Sequence, residues 1–120
     1  MADRVNWFEI PVEDLARASG FYTKVLDCPA FPQPGQGFAV LAYEPGEVSG
    51  CLVQCENMHP SRDGVLIYLN VQGRLAEAVS RARACGGTVV EDIHPIGPYG
   101  ERAIVIDTEG NRVALHAYPA

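Results

Sequence analysis

Three side chains of this 120-residue sequence carry groups from which proton-transfer chemistry is built: Glu9, Tyr68 and His116. A carboxylate or a neutral imidazole accepts a proton near neutral pH, and a phenol can return one or stabilise a developing oxyanion. Such a set would use Glu9 or His116 as base, with Tyr68 or the remaining partner as acid or oxyanion stabiliser. Other chemistries lack their parts. No Ser-His-Asp ordering or dinucleotide fingerprint occurs, so no cofactor is expected. Gly35-Gln36-Gly37 follows prolines and leads into a strand, the wrong context for cradling a phosphate. Cys28, Cys51, Cys55 and Cys85 form no CxxC pair, and are expected to stay reduced and pack as small hydrophobes.

The elements that must position these groups are legible in outline. With 48% hydrophobic residues the chain supports one compact core, too small for two independent domains, so residues 1–120 are expected to form a single domain. Its net charge of −6 argues against nucleic acid as a partner and favours a neutral or cationic small-molecule ligand. No apolar run approaches the roughly 18 residues of a membrane span, and Met-Ala-Asp-Arg lacks a signal peptide's apolar core. A soluble cytoplasmic protein without a membrane partner is the expectation.

The pattern is written twice, as residues 5–56 and 64–118 joined by a linker at 57–63. Each unit runs strand, helix, then short strands. In the first, Phe8, Ile10 and Val12 alternate with Trp7, Glu9 and Pro11. Asp14 suits the N-cap of a helix over 15–27 carried by Leu15, Ala18, Tyr22, Val25 and Leu26. Pro29, Pro32 and Pro34 end it, before strands over 38–43 and 51–56. In the second, a strand over 64–71 precedes a helix carried by Leu75, Ala78, Val79, Ala82 and Cys85, stopped by Gly86-Gly87. Strands over 88–93, 103–106 and 112–118 follow, with His94 to Gly100 as a loop and Asp107 to Asn111 as a hairpin turn.

Ile10-Pro11-Val12-Glu13-Asp14-Leu15 with Phe21-Tyr22 and Val25-Leu26, then Ala84-Cys85-Gly86-Gly87 and Asp107-Thr108-Glu109-Gly110-Asn111-Arg112-Val113, resemble the vicinal oxygen chelate superfamily across nearly the whole chain. It includes glyoxalase I, extradiol dioxygenases, fosfomycin-resistance enzymes and bleomycin-binding proteins. The resemblance implies an α+β fold of two paired βαβββ modules whose mixed sheets curl around a central groove, and a homodimer whose second subunit completes or enlarges it.

The resemblance also implies where metal-dependent members carry ligands: a His opening each module and a Glu after the Gly-Asn turn. The matching residues here are Trp7, Leu66 and Ala114, with Leu52 or Gln54 as the nearest match for the fourth. Trp, Leu and Ala bind no divalent ion, so the usual metal is not expected. If these three line the groove, alternation turns Glu9, Tyr68 and His116 inward with them. Trp7, Leu66, Ala114, Gln54, Asn70, and His94 and Tyr99 from the covering loop complete the expected ligand-binding set.

Plainer readings stand beside these. Glu9 can be solvated or paired with Arg112, His116 can fray near the C-terminus, and His59 has no neighbour to work with. Three functions follow: a metal-independent isomerase, epimerase or lyase acting on a small carbonyl-containing metabolite; a sequestering protein similar to the bleomycin-binding ones; and a metalloenzyme with a displaced site built from Glu9 and His116.

Overall fold

The structure, a computed structural model, describes residues 3–33 and 35–120, so Pro34, expected to help end the first helix, lies outside the described residues. Strand β1 (Trp7–Pro11), helix α1 (Leu15–Leu26) and strands β2 (Ala30–Gln33), β3 (Phe38–Leu41) and β4 (Ser49–Val53) form the first module. Strand β5 (Ile67–Asn70), helix α2 (Leu75–Ala84) and strands β6 (Thr88–Pro95), β7 (Glu101–Ile106) and β8 (Arg112–Ala117) form the second, with a 3₁₀ turn at Gly97–Tyr99. Sheet orders are β1-β4-β3-β2 and β5-β8-β7-β6. In each, the first strand pairs parallel to the last and the other pairs are antiparallel. No helix among the described residues is long and apolar enough to cross a membrane.

Several boundaries differ from expectation. β2 was not expected, because Pro32 removes a ladder donor; it survives as the outer strand of its sheet, where one side needs no partner. β4 runs Ser49–Val53 instead of 51–56, because its pairing with β1 begins at Trp7–Ser49 and ends at Pro11–Val53, and Gly50 lies against Phe8 with no side chain to obstruct it. β6 runs on to Pro95, which puts His94 on a strand instead of a loop, and β7 begins at Glu101 instead of Ala103.

The helices pack together between the helix-facing sides of both sheets. Ile10, Leu41 and Leu52 from the first sheet and Leu69, Ala103, Val105, Val113 and Leu115 from the second join Phe21, Tyr22, Val25, Ala78, Val79 and Ala82 in one continuous core. Asp14 caps α1 as expected, its Oδ1 accepting the Arg17 N–H at 3.0 Å. α2 ends in a Schellman arrangement: Gly86 takes φ 96°, and the Gly87 N–H donates to the Ala82 carbonyl at 2.8 Å.

The Asp107–Asn111 turn does more than reverse the chain. Asp107 accepts from the buried Tyr22 hydroxyl at 2.6 Å, from the Glu109 and Asn111 amides at 2.9 and 2.8 Å, and from Asn111 Nδ2 at 3.1 Å. Asn111 Nδ2 also donates to the Pro11 carbonyl at 2.7 Å. Glu109, its side chain shielded from solvent, accepts from the Glu13 and Asp14 amides at 2.9 and 2.8 Å and from Arg17 Nε at 2.7 Å. Burial alone would raise the Glu109 carboxyl, but Arg17, the Asp14 amide, Thr108 and the Glu13 amide together hold it down to about 2. Burial, then the Asp107 charge, pushes the Tyr22 phenol well up. At the other end of α1, Arg74 and Arg81 donate to the Val25 and Lys24 carbonyls at 2.8 and 2.9 Å. The second module thus satisfies both ends of the first module's helix, which fixes how the sheets sit.

Candidate active site

Ala103, Val105, Val113 and Leu115 enter the core, so alternation turns Arg102, Ile104, Arg112, Ala114 and His116 to the open face of the second sheet. β5 places Tyr68 beside Ala114, and β6 places Glu91 opposite Ile104 and His94 opposite Arg102. Two register shifts in β6, flanking Glu91, interrupt its alternation. Asp92 lies at the same bend: the Ile93 amide, donating at 2.7 Å, and Arg83 hold its carboxyl below the ordinary range.

On this face one guanidinium organises its neighbours. Arg102 Nη1 donates to the Tyr68 phenol oxygen, and its Nε donates to His94 Nε2 at 3.1 Å. His94 Nδ1 lies 2.8 Å from the Asp92 carbonyl, which can only accept, so Nδ1 carries the proton and Nε2 is the lone pair that meets Arg102. Glu91 stands between two cations, with Oε2 3.1 Å from Arg112 Nη2 and Oε1 4.0 Å from Arg102 Nη2. His94 Nε2 is 3.7 Å from the same Oε1.

His116 is held differently. Its Nε2 is 2.7 Å from the Tyr99 carbonyl, to which it must donate, leaving Nδ1 as the lone pair in the neutral ring. The buried imidazole meets the Tyr68 ring edge-on at 5.5 Å and the Tyr118 ring at 4.8 Å. Gly100 brings the Tyr99 carbonyl there: φ is 104°, and a Cβ would collide with the Ala117 carbonyl oxygen.

The first sheet has the same architecture with other contents. Val12 and Val71 donate to the Val53 and His116 carbonyls, so Cys51 stands where Ala114 stands, and Glu9 where Tyr68 stands. The fourth metal-ligand position is therefore Cys51, not Leu52, which is buried in the core, nor Gln54. Glu9 is exposed and makes no hydrogen bond or ion pair among the described residues. Burial pushes the Cys51 thiol up, opposed by a hydrogen bond from Trp7 and reinforced by the Glu9 charge. Trp7 meets Tyr43 edge-on at 5.7 Å.

Of the residues expected to converge, the fold brings Tyr68, His116 and His94 onto one face, with Tyr99 supplying a carbonyl and Ala114 the floor. Glu9 is on the other sheet and lines a cavity of about 280 Å³ between the modules, with His59, Asn111 and Arg112. Tyr68, Leu66 and Asn70 line a second cleft of about 870 Å³, walled by Phe8, Leu41 and Tyr43. Gln54 is occupied structurally, its Oε1 accepting the Leu15 amide at 2.9 Å, and Asn70 Oδ1 accepts the Gln72 amide at 2.9 Å. Arg112 pairs with Glu91 instead of Glu9. Glu91 and Arg102 were not foreseen: one lies between register shifts, the other just before the run taken as a strand.

The donor set does not fit the metal of metal-dependent relatives. Trp7, Leu66, Ala114 and Cys51 offer a single thiol, and no three His, Cys, Asp or Glu side chains among the described residues are grouped to hold an ion. The displaced pair of Glu9 and His116 is split between sheets, and His116 Nε2 is taken by Tyr99.

Residues 4–115 match the family model described as Glyoxalase/Bleomycin resistance protein/Dioxygenase superfamily. No curated protein matches the sequence. Among solved structures, a glyoxalase/bleomycin resistance protein from Albidiferax ferrireducens T118 is similar at TM-score 0.81 and 17% identity, covering 98% of this chain and 100% of that one. A glyoxalase/bleomycin resistance protein/dioxygenase family enzyme from Burkholderia phytofirmans PsJN gives 0.73 and 17%, covering 95% and 98%. The fosfomycin resistance protein FosX from Listeria monocytogenes gives 0.74 and 16%, covering 99% and 94%. At these identities the likeness is one of fold.

Proposed function

The chain belongs to the glyoxalase/bleomycin resistance protein/dioxygenase superfamily, and within it we propose a metal-independent enzyme that moves a proton on a small carbonyl-containing metabolite, as an isomerase, epimerase or lyase. The observation that carries this reading is the Tyr68–Arg102–His94 chain. Because Arg102 donates to the phenol oxygen, the Tyr68 O–H is free to donate to a substrate carbonyl as negative charge develops there. His94, held as an acceptor, fixes Arg102 and through it Tyr68. His116 is buried with its Nε2 proton committed to Tyr99, which suits it to hold the Tyr68 ring. Glu9, exposed and unpaired, is the better base. It reaches Tyr68 if a second copy lays its first sheet over this second sheet, so the reading includes a homodimer with shared sites.

Deuterium incorporation from D₂O into small ketones and oxo acids, followed by NMR, tests the reading. Tyr68→Phe and Glu9→Gln should each slow exchange by about 10²-fold. Mixing the two inactive variants should restore about a quarter of wild-type activity, since half the dimers would then hold one intact site. Exchange unaffected by either substitution contradicts the reading. A second reading is favoured by the larger cleft, whose volume of about 870 Å³, apolar walls and acidic Asp3 and Glu47 suit a drug-sized cation held unchanged. Retention of such a ligand in equilibrium dialysis, recovered unaltered and without deuterium exchange, would decide for it.

A further inference from the structure

On a chain of net charge −6, the open face of the second sheet sets two guanidiniums against one carboxylate of its own, while Glu9 of the first sheet makes no ion pair with Arg112 across the cavity they both line. His94 adds no charge in the tautomer its contacts require. Arg102 and Arg112 are not closed off: their side chains are 25% and 40% exposed, and that of Glu91 is 41% exposed. Glu91 is close to Arg112 but only 4.0 Å from Arg102, so it fills the gap between the cations without a full fork to both. A planar guanidinium prefers a two-point carboxylate contact, and a half-exposed internal pair is weakly held.

We propose that Glu91 is a displaceable occupant of an anion seat, and that the carboxylate of the substrate takes its place between Arg102 and Arg112. The same guanidinium fixes what that substrate looks like. Nη1 of Arg102 holds the Tyr68 hydroxyl while the adjacent Nη2 faces Glu91, so a carbonyl oxygen bound by that hydroxyl and a carboxylate on Nη2 lie close enough to belong to one small molecule. A carboxylate on Nη2 with a carbonyl oxygen at the Tyr68 hydroxyl fits a short oxo carboxylate, of which a 2-oxo carboxylate is the smallest. Ile104 and Ala114, fully buried beneath, leave no polar group on the floor to compete. This deepens the proton-transfer reading and takes the identity of the carbonyl from it; the seat itself rests on the arginines.

Isothermal titration of the full chain at fixed ionic strength, with pyruvate, its neutral methyl ester and inorganic phosphate, tests the seat. Pyruvate should bind at least 10-fold more tightly than the ester or phosphate. Arg112→Gln and Arg102→Gln should each weaken it at least 10-fold, and Arg112→Lys, which keeps the charge and loses the fork, should fall between. Glu91→Gln should tighten pyruvate binding several-fold, which a purely structural ion pair would not do. Glu91→Gln with unchanged or weaker affinity, or ester or phosphate binding as tight as pyruvate, overturns the proposal. Binding of pyruvate as described with no exchange on any oxo acid removes the enzyme and leaves the seat; exchange equally fast on ester and acid removes the seat and leaves the enzyme.

Discussion

Glu9 and Tyr68 occupy the same place in two sheets of identical strand order, as do Cys51 and Ala114, yet the two open faces are chemically unlike. On the first, an exposed carboxylate stands alone beside an indole and a buried thiol. On the second, a phenol, two imidazoles, two guanidiniums and a carboxylate are joined by directed contacts, and two tautomers follow from the partners. The two modules share a strand order and a helix-facing core, while the residues that alternate outward differ. On the proposed function this difference would also divide labour: a wired face to bind and polarise, and a bare face to offer a base.

A second asymmetry concerns what holds the modules together. The turn and arginines of the second module satisfy α1 at both ends, whereas α2 ends in its own glycine cap. Removing Asp107 should therefore have the largest effect on stability. Asp107→Ala strands the Tyr22 hydroxyl and the Asn111 amide in the interior and should cost about 3–5 kcal/mol in chemical denaturation. A loss as small as that of an exposed aspartate would break the asymmetry.

The next effect is on pH dependence. Glu109 is held at about 2 against an ordinary value of 4.5, so the native state binds the proton less readily than the unfolded chain. Its contribution is therefore present above about pH 4.5 and is lost as pH falls toward 2. It amounts to at most about 3 kcal/mol, and nearer 1 because the half-exposed Arg17 is screened by solvent. Denaturation midpoints across that window should fall in the wild type and flatten in Glu109→Gln; equal slopes would contradict the Glu109–Arg17 contact.

The smallest effect sharpens the contrast between faces. Burial raises the Cys51 thiol, whereas Cys55 is exposed beyond the end of the same strand. Alkylation near pH 8 followed by mass spectrometry should label Cys55 well before Cys51, and Trp7→Ala should open Cys51 to the reagent. Labelling of Cys51 first would mean that the first face is not packed as described.

Much of this was legible in the residues. The repeat and both helices follow from apolar spacing, and the Asp14 and Gly86 caps follow from residue type. β2 was hidden because Pro32 argues against a strand wherever the pairing on both sides is unknown; only its outer place in the sheet admits it. Glu91 was hidden for a related reason: a bent strand loses the period that assigns faces, and Glu91 lies between the two register shifts of β6. Arg102 follows the period of β7, but only once the strand is known to begin at Glu101 instead of Ala103. The contacts of the Asp107–Asn111 turn with the first module could not be found from one segment. Asp107, Glu109 and Asn111 look like turn residues until Tyr22, Pro11 and Arg17, far away in sequence, are placed beside them.

The contacts on the second sheet's face require one tautomer of each imidazole, and those tautomers are open to measurement. Long-range ¹H–¹⁵N correlation spectra at neutral pH should show His94 protonated at Nδ1 with Nε2 as acceptor, and His116 protonated at Nε2 with Nδ1 bare. Arg102→Gln should release the constraint on His94 and leave His116 unchanged. A His94 ring carrying its proton at Nε2, or two rings exchanging freely between tautomers, would contradict the account.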